Sequence, residues 1–301
     1  MTTAIARRVC VTGASGQAGR AVVSDLREHG YDVAATDLAA ERADLEAGML
    51  RADLTEYGQA LGALEGAEAV IHLANIPAPG LCTPAVTFNA NVTMNFNVFH
   101  AAARLGVRRV AWASSETTLG LFFGIGPREW PFLEADGLPP RYAPVDEDHF
   151  PLTTTTYALS KVASETIAGQ IATWSGIPFV ALRFSNIMGS GDYQELPSVW
   201  PDPHARKWNL WGYVDVRDVA AACRLALEAP PDAVGGSPSF IIAAADTVMN
   251  RPSSALLAEI FPGVPLTRDV GEFGSLLASD RARELLGYEP RHSWRDHLPA
   301  A

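Results

Sequence analysis

A chain of 301 residues, 48% hydrophobic and 19% charged, can bury a sizeable core and fits one large α/β domain, with or without a small appendage. Its net charge of -11 and the lack of any basic run exclude a broad electrostatic grip on nucleic acid or on an anionic membrane surface, so an anionic ligand must be held locally. Cys10, Cys82 and Cys223 lie far apart without a CxxC pair, which excludes a disulfide framework or zinc site and leaves them as packing residues of a reduced compartment.

The stretch "MTTAIARRVCVTG" enters an apolar strand too early to hold a signal-peptide core, and no apolar stretch reaches membrane-span length. A cytoplasmic location is expected. The first strand, "RRVCVTG", runs into "ASGQAGRAVV", which sets Gly13, Gly16 and Gly19 at GxxGxxG spacing before a helix expected over Gln17 to Glu28. Glycines there let the backbone approach a pyrophosphate whose charge rests on the helix N-terminus, although a plain strand-to-helix turn would use the same residues. The second strand, "YDVAATD", ends at Asp37, 18 residues after Gly19, where a carboxylate accepts from adenosine ribose hydroxyls and repels a 2'-phosphate. NAD is therefore expected rather than NADP.

Further along, "RADLTE" places Asp53 and Leu54 after a short strand, where the aspartate can accept from an adenine amino group. The strand "AEAVIHLAN" ends with Leu73 and small Ala74, beside which a cofactor can lie close to the backbone. His72, inside an apolar run, reads as a hydrogen-bonded core histidine. A helix follows over Pro84 to Leu105, and the strand "RRVAWASS" delivers Ser114 and Ser115 into a loop. There a hydroxyl can donate to a substrate oxygen or simply cap a turn.

Residues 120 to 155, rich in Pro, Gly and aromatics, break the βα rhythm, and "TTTTYALSK" then opens a helix over Thr156 to Trp174. Tyr157 and Lys161 are four residues apart and share a helical face. The chain has only two lysines, Lys161 and Lys207, so this pairing is not a product of composition. A tyrosine, ordinarily with a pKa near 10, becomes a base at neutral pH only when positive charge stabilises its phenolate. A compact ammonium and an oxidised nicotinamide supply such charge better than a bulky guanidinium.

The strand "FVALRFSN" leads into a second excursion over 188 to 212, then a helix over Val216 to Leu227 and the strand "SFIIAAAD". Continuous apolar strands alternating with helices specify a parallel sheet of the Rossmann, doubly wound α/β class in a single domain over 1–301. A small C-terminal substrate-binding lobe is expected over about 246–301, with the substrate between the two excursions. The aromatics Phe122, Phe123, Trp130, Phe132, Trp200, Trp208 and Trp211 in those excursions would line a pocket or anchor the loops.

Taken together, "TGASGQAG", Asp37, the Asp53-Leu54 pair, "HLAN", "NV" at 91 and 92, "SSETTLG", "YALSK", "LRFSNIMG" and "WGYVDVRDVAAA" resemble the short-chain dehydrogenase/reductases. The likeness is to the extended or atypical branch that includes nucleotide-sugar epimerases, dehydratases and uronate dehydrogenases, and it covers most of the chain. It implies Tyr157 as catalytic acid/base, Lys161 lowering the tyrosine pKa and holding the nicotinamide ribose, and Ser115 polarising the reacting oxygen, with Ser114 and Thr117 as alternatives. It also implies a cofactor set that includes Gln17, Leu73 and Asn91, substrate contacts from Glu116 and Asn186, no metal, and a homodimer formed through helices like Pro84 to Leu105 and Thr156 to Trp174.

Only about two dozen residues separate Gly189 from Tyr213, a shorter substrate segment than sugar-nucleotide members carry. In length and in "ARKWNLW" the segment is more similar to uronate dehydrogenases, which makes Arg206 a candidate for holding a sugar carboxylate. The expected activity is NAD-linked hydride transfer at a secondary alcohol or hemiacetal carbon of a sugar or sugar-like molecule. Alternatives are an epimerase with retained NAD, a ketoreductase, and a dinucleotide sensor without catalysis.

Overall fold

Residues 7–39, 48–120, 139–149, 151 and 153–298 are described in a computed structural model. Strands β1 (Arg8–Thr12), β2 (Asp32–Asp37), β3 (Leu50–Arg51), β4 (Ala69–His72), β5 (Arg109–Ser115) and β6 (Phe179–Phe184) precede β7 (Ile187–Met188), β8 (Val214–Asp215) and β9 (Ser239–Ile242). A seven-stranded sheet has the order β3-β2-β1-β4-β5-β6-β9, and every pairing in it is parallel. The order reverses between β1 and β4, which opens a crevice outside their carboxyl ends.

The strands are buried on both faces because β1, β4 and β6 are nearly unbroken apolar runs. On one face, α1 (Gln17–Glu28) packs with α6 (Val216–Glu228), and Val22, Val23, Leu26, Val219 and Cys223 fill the core. On the other face lie α2 (Tyr57–Leu64), α3 (Pro84–Leu105) and α4 (Thr156–Ser175), with Val98, Phe99, Trp112, Ile171 and Phe179 at the centre. The sequence-expected bounds of α1 and α3 are met, and those of α4 and α6 to within one residue. Helix α3 begins with Pro84 in its first turn and stops at Gly106, whose φ of 68° forms the left-handed cap.

A third apolar cluster joins the chain's last third to the far side of the crevice. Val248, Met249, Leu256, Leu257, Leu276 and Leu277 pack on Trp211, Tyr213 and Leu119. Short α5 (Leu196–Val199) and α7 (Ser253–Ile260) belong to this side, α8 (Asp280–Leu286) packs through Ala282 and Leu286 into the first cluster beside α6 and β9, and β7 pairs with β8 as a separate two-stranded ribbon. Of the excursion over 120 to 155, residues 121–138, 150 and 152 lie outside the described residues, and with them Phe122, Phe123, Trp130 and Phe132. Cys10 and Cys223 are buried packing residues as expected, but Cys82 is exposed just before α3 and packs nothing. Among the described residues no helix is long and apolar enough to cross a membrane, and no cluster of ligating side chains has the makings of a metal site.

Candidate active site

At the β1 to α1 turn the backbone of Gly13 takes a φ of 69°, and a side chain there would sit 2.7 Å from the Ala74 amide nitrogen at the end of β4. A β-carbon on Gly19 would lie 2.1 Å from the Gly13 carbonyl oxygen. Both glycines are thus required by close backbone approach at the switch point. The N-cap of helix α1 is Gly16, which offers no side-chain acceptor, so the amides of the first turn keep their donors for a ligand.

Asp37, last residue of β2, accepts from the Ser15 amide at 2.9 Å, the Ser15 hydroxyl at 2.6 Å and the Ala39 amide at 3.1 Å. Burial alone would raise its carboxyl, but these hydrogen bonds outweigh it and hold Asp37 below the usual aspartate value. Asp53 accepts from both the amide and hydroxyl of Thr55, and Leu54 is buried beside it.

One cavity of about 880 Å³ connects these positions to the reaction centre, within the usual range of ligand cavities. Gly13, Gly16, Gln17, Gly19, Asp37, Asp53, Leu54, Leu73 and Ala74 line one part of it, and Ser115, Glu116, Tyr157, Lys161 and Asn186 the other. A narrow glycine cradle, open helix amides and an acid at the end of β2 match a dinucleotide in shape and charge. The residues present fit NAD.

Helix α4 delivers the Tyr157 and Lys161 pair. Its N-cap is Thr155, whose hydroxyl accepts from the Ala158 amide at 3.1 Å, so Tyr157 stands in the first turn and Lys161 one turn later. Lys161 is 1% exposed; its ammonium donates to the Ala113 carbonyl of β5 at 2.7 Å and lies 5.6 Å from the centre of the Tyr157 ring. Burial drives Lys161 down to about 7, against the opposing charge of Glu165. Burial also pushes the Tyr157 phenol up to about 12; the nearby Ser115 hydroxyl opposes this and the Glu116 carboxylate adds to it.

Ser115 ends β5 and caps the short 3₁₀ turn Glu116–Leu119. Its oxygen accepts from the Thr117 amide at 3.2 Å and the Thr117 hydroxyl at 3.0 Å. With both lone pairs engaged, the Ser115 proton is left to be donated. Ser114 is committed elsewhere, donating to Glu165 at 2.6 Å, and Glu165 also grips the Arg183 guanidinium through two hydrogen bonds.

Two expected contacts lie off the cavity wall. Asn91 is buried on α3; its amide oxygen accepts from the Ile76 amide at 2.8 Å and its nitrogen donates to the Ile76 carbonyl at 3.1 Å. It thereby fixes the loop Asn75 to Pro79, which itself lines the cavity. Arg206 is not among the lining residues either: it points at the Gly212 carbonyl, stacks over the Trp208 ring and lies in the field of Glu116. His72 is the satisfied core residue expected, with Nδ1 accepting from the Thr12 hydroxyl at 2.6 Å and Nε2 donating to Asn95 at 2.8 Å. Burial depresses its pKa to about 3, so it stays neutral.

Sequence reasoning passed over Ser185 and Asn209. Ser185 lines the cavity directly after β6, and Asn209 donates to Glu116 at 3.1 Å from the end of the turn Pro203–Asn209. The carboxyl end of a central strand was the signal available for Ser185.

A model of the NAD dependent epimerase/dehydratase family matches residues 9–242. Cinnamoyl-CoA reductase 1 of Oryza sativa subsp. japonica is 29% identical over 294 residues, covering 90% of this chain and 80% of the reductase. UDP-glucose 4-epimerase of Lacticaseibacillus casei is 25% identical over 329 residues, covering 96% of this chain and 94% of the epimerase. A short-chain dehydrogenase/reductase superfamily protein from Agrobacterium tumefaciens, crystallised with bound NAD, has the same fold, with a TM-score of 0.69 at 22% identity over 95% of this chain and 93% of that one.

Proposed function

The chain belongs to the NAD dependent epimerase/dehydratase family, and from that premise we propose that it is an oxidoreductase acting on a secondary alcohol or hemiacetal carbon of a sugar or sugar-like substrate, with Tyr157 as acid/base. The observation that carries this reading is that Ser115, Tyr157 and Lys161 line the same cavity as Gly13, Gly19 and Asp37.

The glycine cradle and the first-turn amides of α1 would hold the pyrophosphate of NAD, Asp37 and Asp53 would take its adenosine end, and Lys161 would serve the nicotinamide ribose. NAD, when bound, supplies a two-electron hydride acceptor and, in its oxidised form, a positive charge near Tyr157. The Ser115 hydroxyl donates to the substrate oxygen and fixes its position. As the carbinol C–H bond breaks and the C=O bond forms, the proton of the substrate hydroxyl passes to the Tyr157 phenolate oxygen. Lys161, anchored on Ala113, keeps the tyrosine's surroundings electropositive in its protonated form. Asn91 acts through the Ile76 loop as a positioning residue.

Adding NAD to the purified protein with a panel of free sugars, polyols, uronates and sugar nucleotides tests this directly. NADH absorbance growing with one class supports the dehydrogenase. A second reading, epimerisation with retained cofactor, is favoured by the length over which the UDP-glucose 4-epimerase relative matches. A changed sugar without net NADH would replace the first reading by this one.

We also propose a cytoplasmic homodimer built on α3 and α4. Its support is the apolar exposure of Val86, Phe96, Leu159 and Trp174 on those helices, with Trp174 72% exposed. Sedimentation of the purified protein at the mass of a monomer would remove the dimer.

A further inference from the structure

Tyr157, Lys161 and Glu165 follow one another at four-residue intervals along α4 and so stand on one helical face. The reaction proposed above uses the first two and leaves the third without a role. Glu165 is tied to the sheet. Its Oε1 accepts from the Ser114 hydroxyl at 2.6 Å and from Arg183 Nε at 2.9 Å, and its Oε2 accepts from a terminal nitrogen of Arg183 at 2.8 Å. Ser114 of β5 and Arg183 of β6 are register partners in the parallel sheet, so their side chains leave the same face side by side.

One carboxylate therefore clamps two neighbouring strands to the helix that carries Tyr157. Its point of attachment is specific. Ser114 lies between Ala113, whose carbonyl receives the Lys161 ammonium at 2.7 Å, and Ser115, which ends β5 at the cavity. Fixing Ser114 fixes both neighbours relative to α4, whereas a clamp further along α4 would hold the helix without setting this three-residue stretch.

Charge points the same way. Burial drives Lys161 down to about 7, and the Glu165 carboxylate is the charge that opposes this. Around Lys161, Tyr157 lies on the same helix, His72 of β4 is neutral, and α3 presents the amides of Asn91 and Asn95 to Ser160 and Ser164 of α4. Glu116, in the turn after β5, acts on Tyr157, while Arg183 of β6 is engaged by Glu165 and reaches the Glu147 carbonyl at 3.3 Å.

We propose that Glu165 is a positioning residue of the reaction centre: through Ser114 it sets Ala113 and Ser115 against α4, and it is the counter-charge of the buried Lys161 ammonium. Glu165 is not among the residues lining the cavity and acts only through these neighbours. The kinetic part of the proposal rests on the oxidoreductase reading above; the electrostatic part does not.

Lysine is nearly absent from the chain, so Lys161 can be followed directly. With an NMR label on the lysine ε carbon only Lys161 and Lys207 give signals, and Lys207→Arg assigns them. In the full-length protein, free and with NAD, Glu165→Gln is expected to lower the pH at which Lys161 titrates by about one unit, because the charge opposing its desolvation is gone. At neutral pH kcat on the sugar class found by the NADH assay is expected to fall roughly 10- to 100-fold with KM little changed, as for a displaced reacting group. Ser114→Ala keeps the ion pair of Glu165 with Arg183, so it is expected to lower kcat and to leave the Lys161 titration in place.

Removing one member of a buried ion pair destabilises a protein, and removing both often does not. The double variant Glu165→Met, Arg183→Met is therefore expected to regain the wild-type melting temperature while the Lys161 titration and kcat stay low. Their recovery together with the melting temperature would reduce the clamp to a structural ion pair and overturn the proposal. A wild-type Lys161 titration in Glu165→Gln, or a wild-type kcat in Ser114→Ala, would overturn it as well. Absence of NADH from the wild type with every sugar overturns the oxidoreductase reading instead, and the Lys161 titrations then decide the role of Glu165 alone.

Discussion

The ammonium of Lys161 rests on the carbonyl of Ala113, 2.7 Å away, and not on the phenol of Tyr157 one helical turn before it. This contact ties α4 to the end of β5 and buries a cation whose pKa falls to about 7 from an ordinary 10.5. Below pH 7 the folded protein carries the full cost of holding the charged form, and between 7 and 10.5 that cost fades, because the unfolded chain binds the proton more tightly there. Lys161→Met is therefore expected to raise the melting temperature by several degrees at pH 7, worth on the order of a few kcal/mol. The gain should vanish near pH 10.5, and turnover should be lost throughout. Thermal melts across this range check it; a variant less stable than wild type at pH 7 would show that the Ala113 hydrogen bond outweighs the buried charge.

Tyr157 in the unliganded protein is pushed up to about 12, so its phenolate forms at neutral pH only if bound NAD supplies positive charge. Tyr157→Phe removes the proton acceptor and leaves the cradle untouched. NAD affinity is expected to stay within about twofold, while kcat falls by roughly 10²–10⁴, the usual worth of a positioned acid/base. In the wild type kcat/KM for oxidation should climb with pH as the tyrosine ionises. A residual activity in Tyr157→Phe with the same alkaline limb would assign that limb to another group.

Most of the fold was legible because parallel strands buried on both faces read as continuous apolar runs, and α1, α3, α4 and α6 each carry a long pattern. Helix α2 was not, since "YGQALGAL" holds two glycines and only eight residues; it forms because Ala60, Ala63 and Leu64 pack beside α3. The β7 to β8 ribbon has two residues per strand, too few for any periodicity. In the site, Gly13, Gly19, Asp37, Tyr157 and Lys161 stood out because local spacing defines them. Ser185 and Asn209 did not, because their neighbourhood with Glu116 arises from three separate segments. Arg206 illustrates the limit: its type suited a carboxylate, while the turn that carries it aims the guanidinium at Gly212.

Asp37 should set cofactor choice. Its carboxylate is held ionised by Ser15 and the Ala39 amide and would face a 2'-phosphate as an uncompensated like charge. Asp37→Ser is expected to weaken NAD about tenfold and to bring NADP to comparable affinity, read by fluorescence titration of both nucleotides. Equal affinities already in the wild type would remove Asp37 from this role.

Gly19→Ala is expected to be among the most damaging single-atom-scale changes in the protein. The new β-carbon would sit 2.1 Å from the Gly13 carbonyl oxygen, with Gly13 itself pinned against Ala74 at a positive φ, so the turn cannot retreat. The β1 to α1 turn must open, costing about 2–4 kcal/mol and most of the NAD affinity. Denaturation midpoints and nucleotide titration measure the two effects; unchanged nucleotide binding would show that the turn relaxes without disturbing the cradle.

Glu116→Gln gives the sharpest electrostatic reading. Burial raises the Glu116 carboxyl from 4.5 to about 7, so the folded protein binds its proton more tightly than the unfolded chain does between these values. Its cost to stability is absent below pH 4.5, grows as pH rises towards 7 and is constant above. The glutamine variant should match wild type near pH 4.5 and exceed it above pH 7 by up to about 3 kcal/mol. Because the Glu116 carboxylate also raises Tyr157, its removal should shift the alkaline limb of kcat/KM to lower pH. The two readouts are independent: chemical denaturation at pH 4.5 and 8 follows the first, and the pH profile of turnover the second. A limb that stays in place while stability rises would mean that the Glu116 charge is neutralised by Arg206 before it reaches the tyrosine.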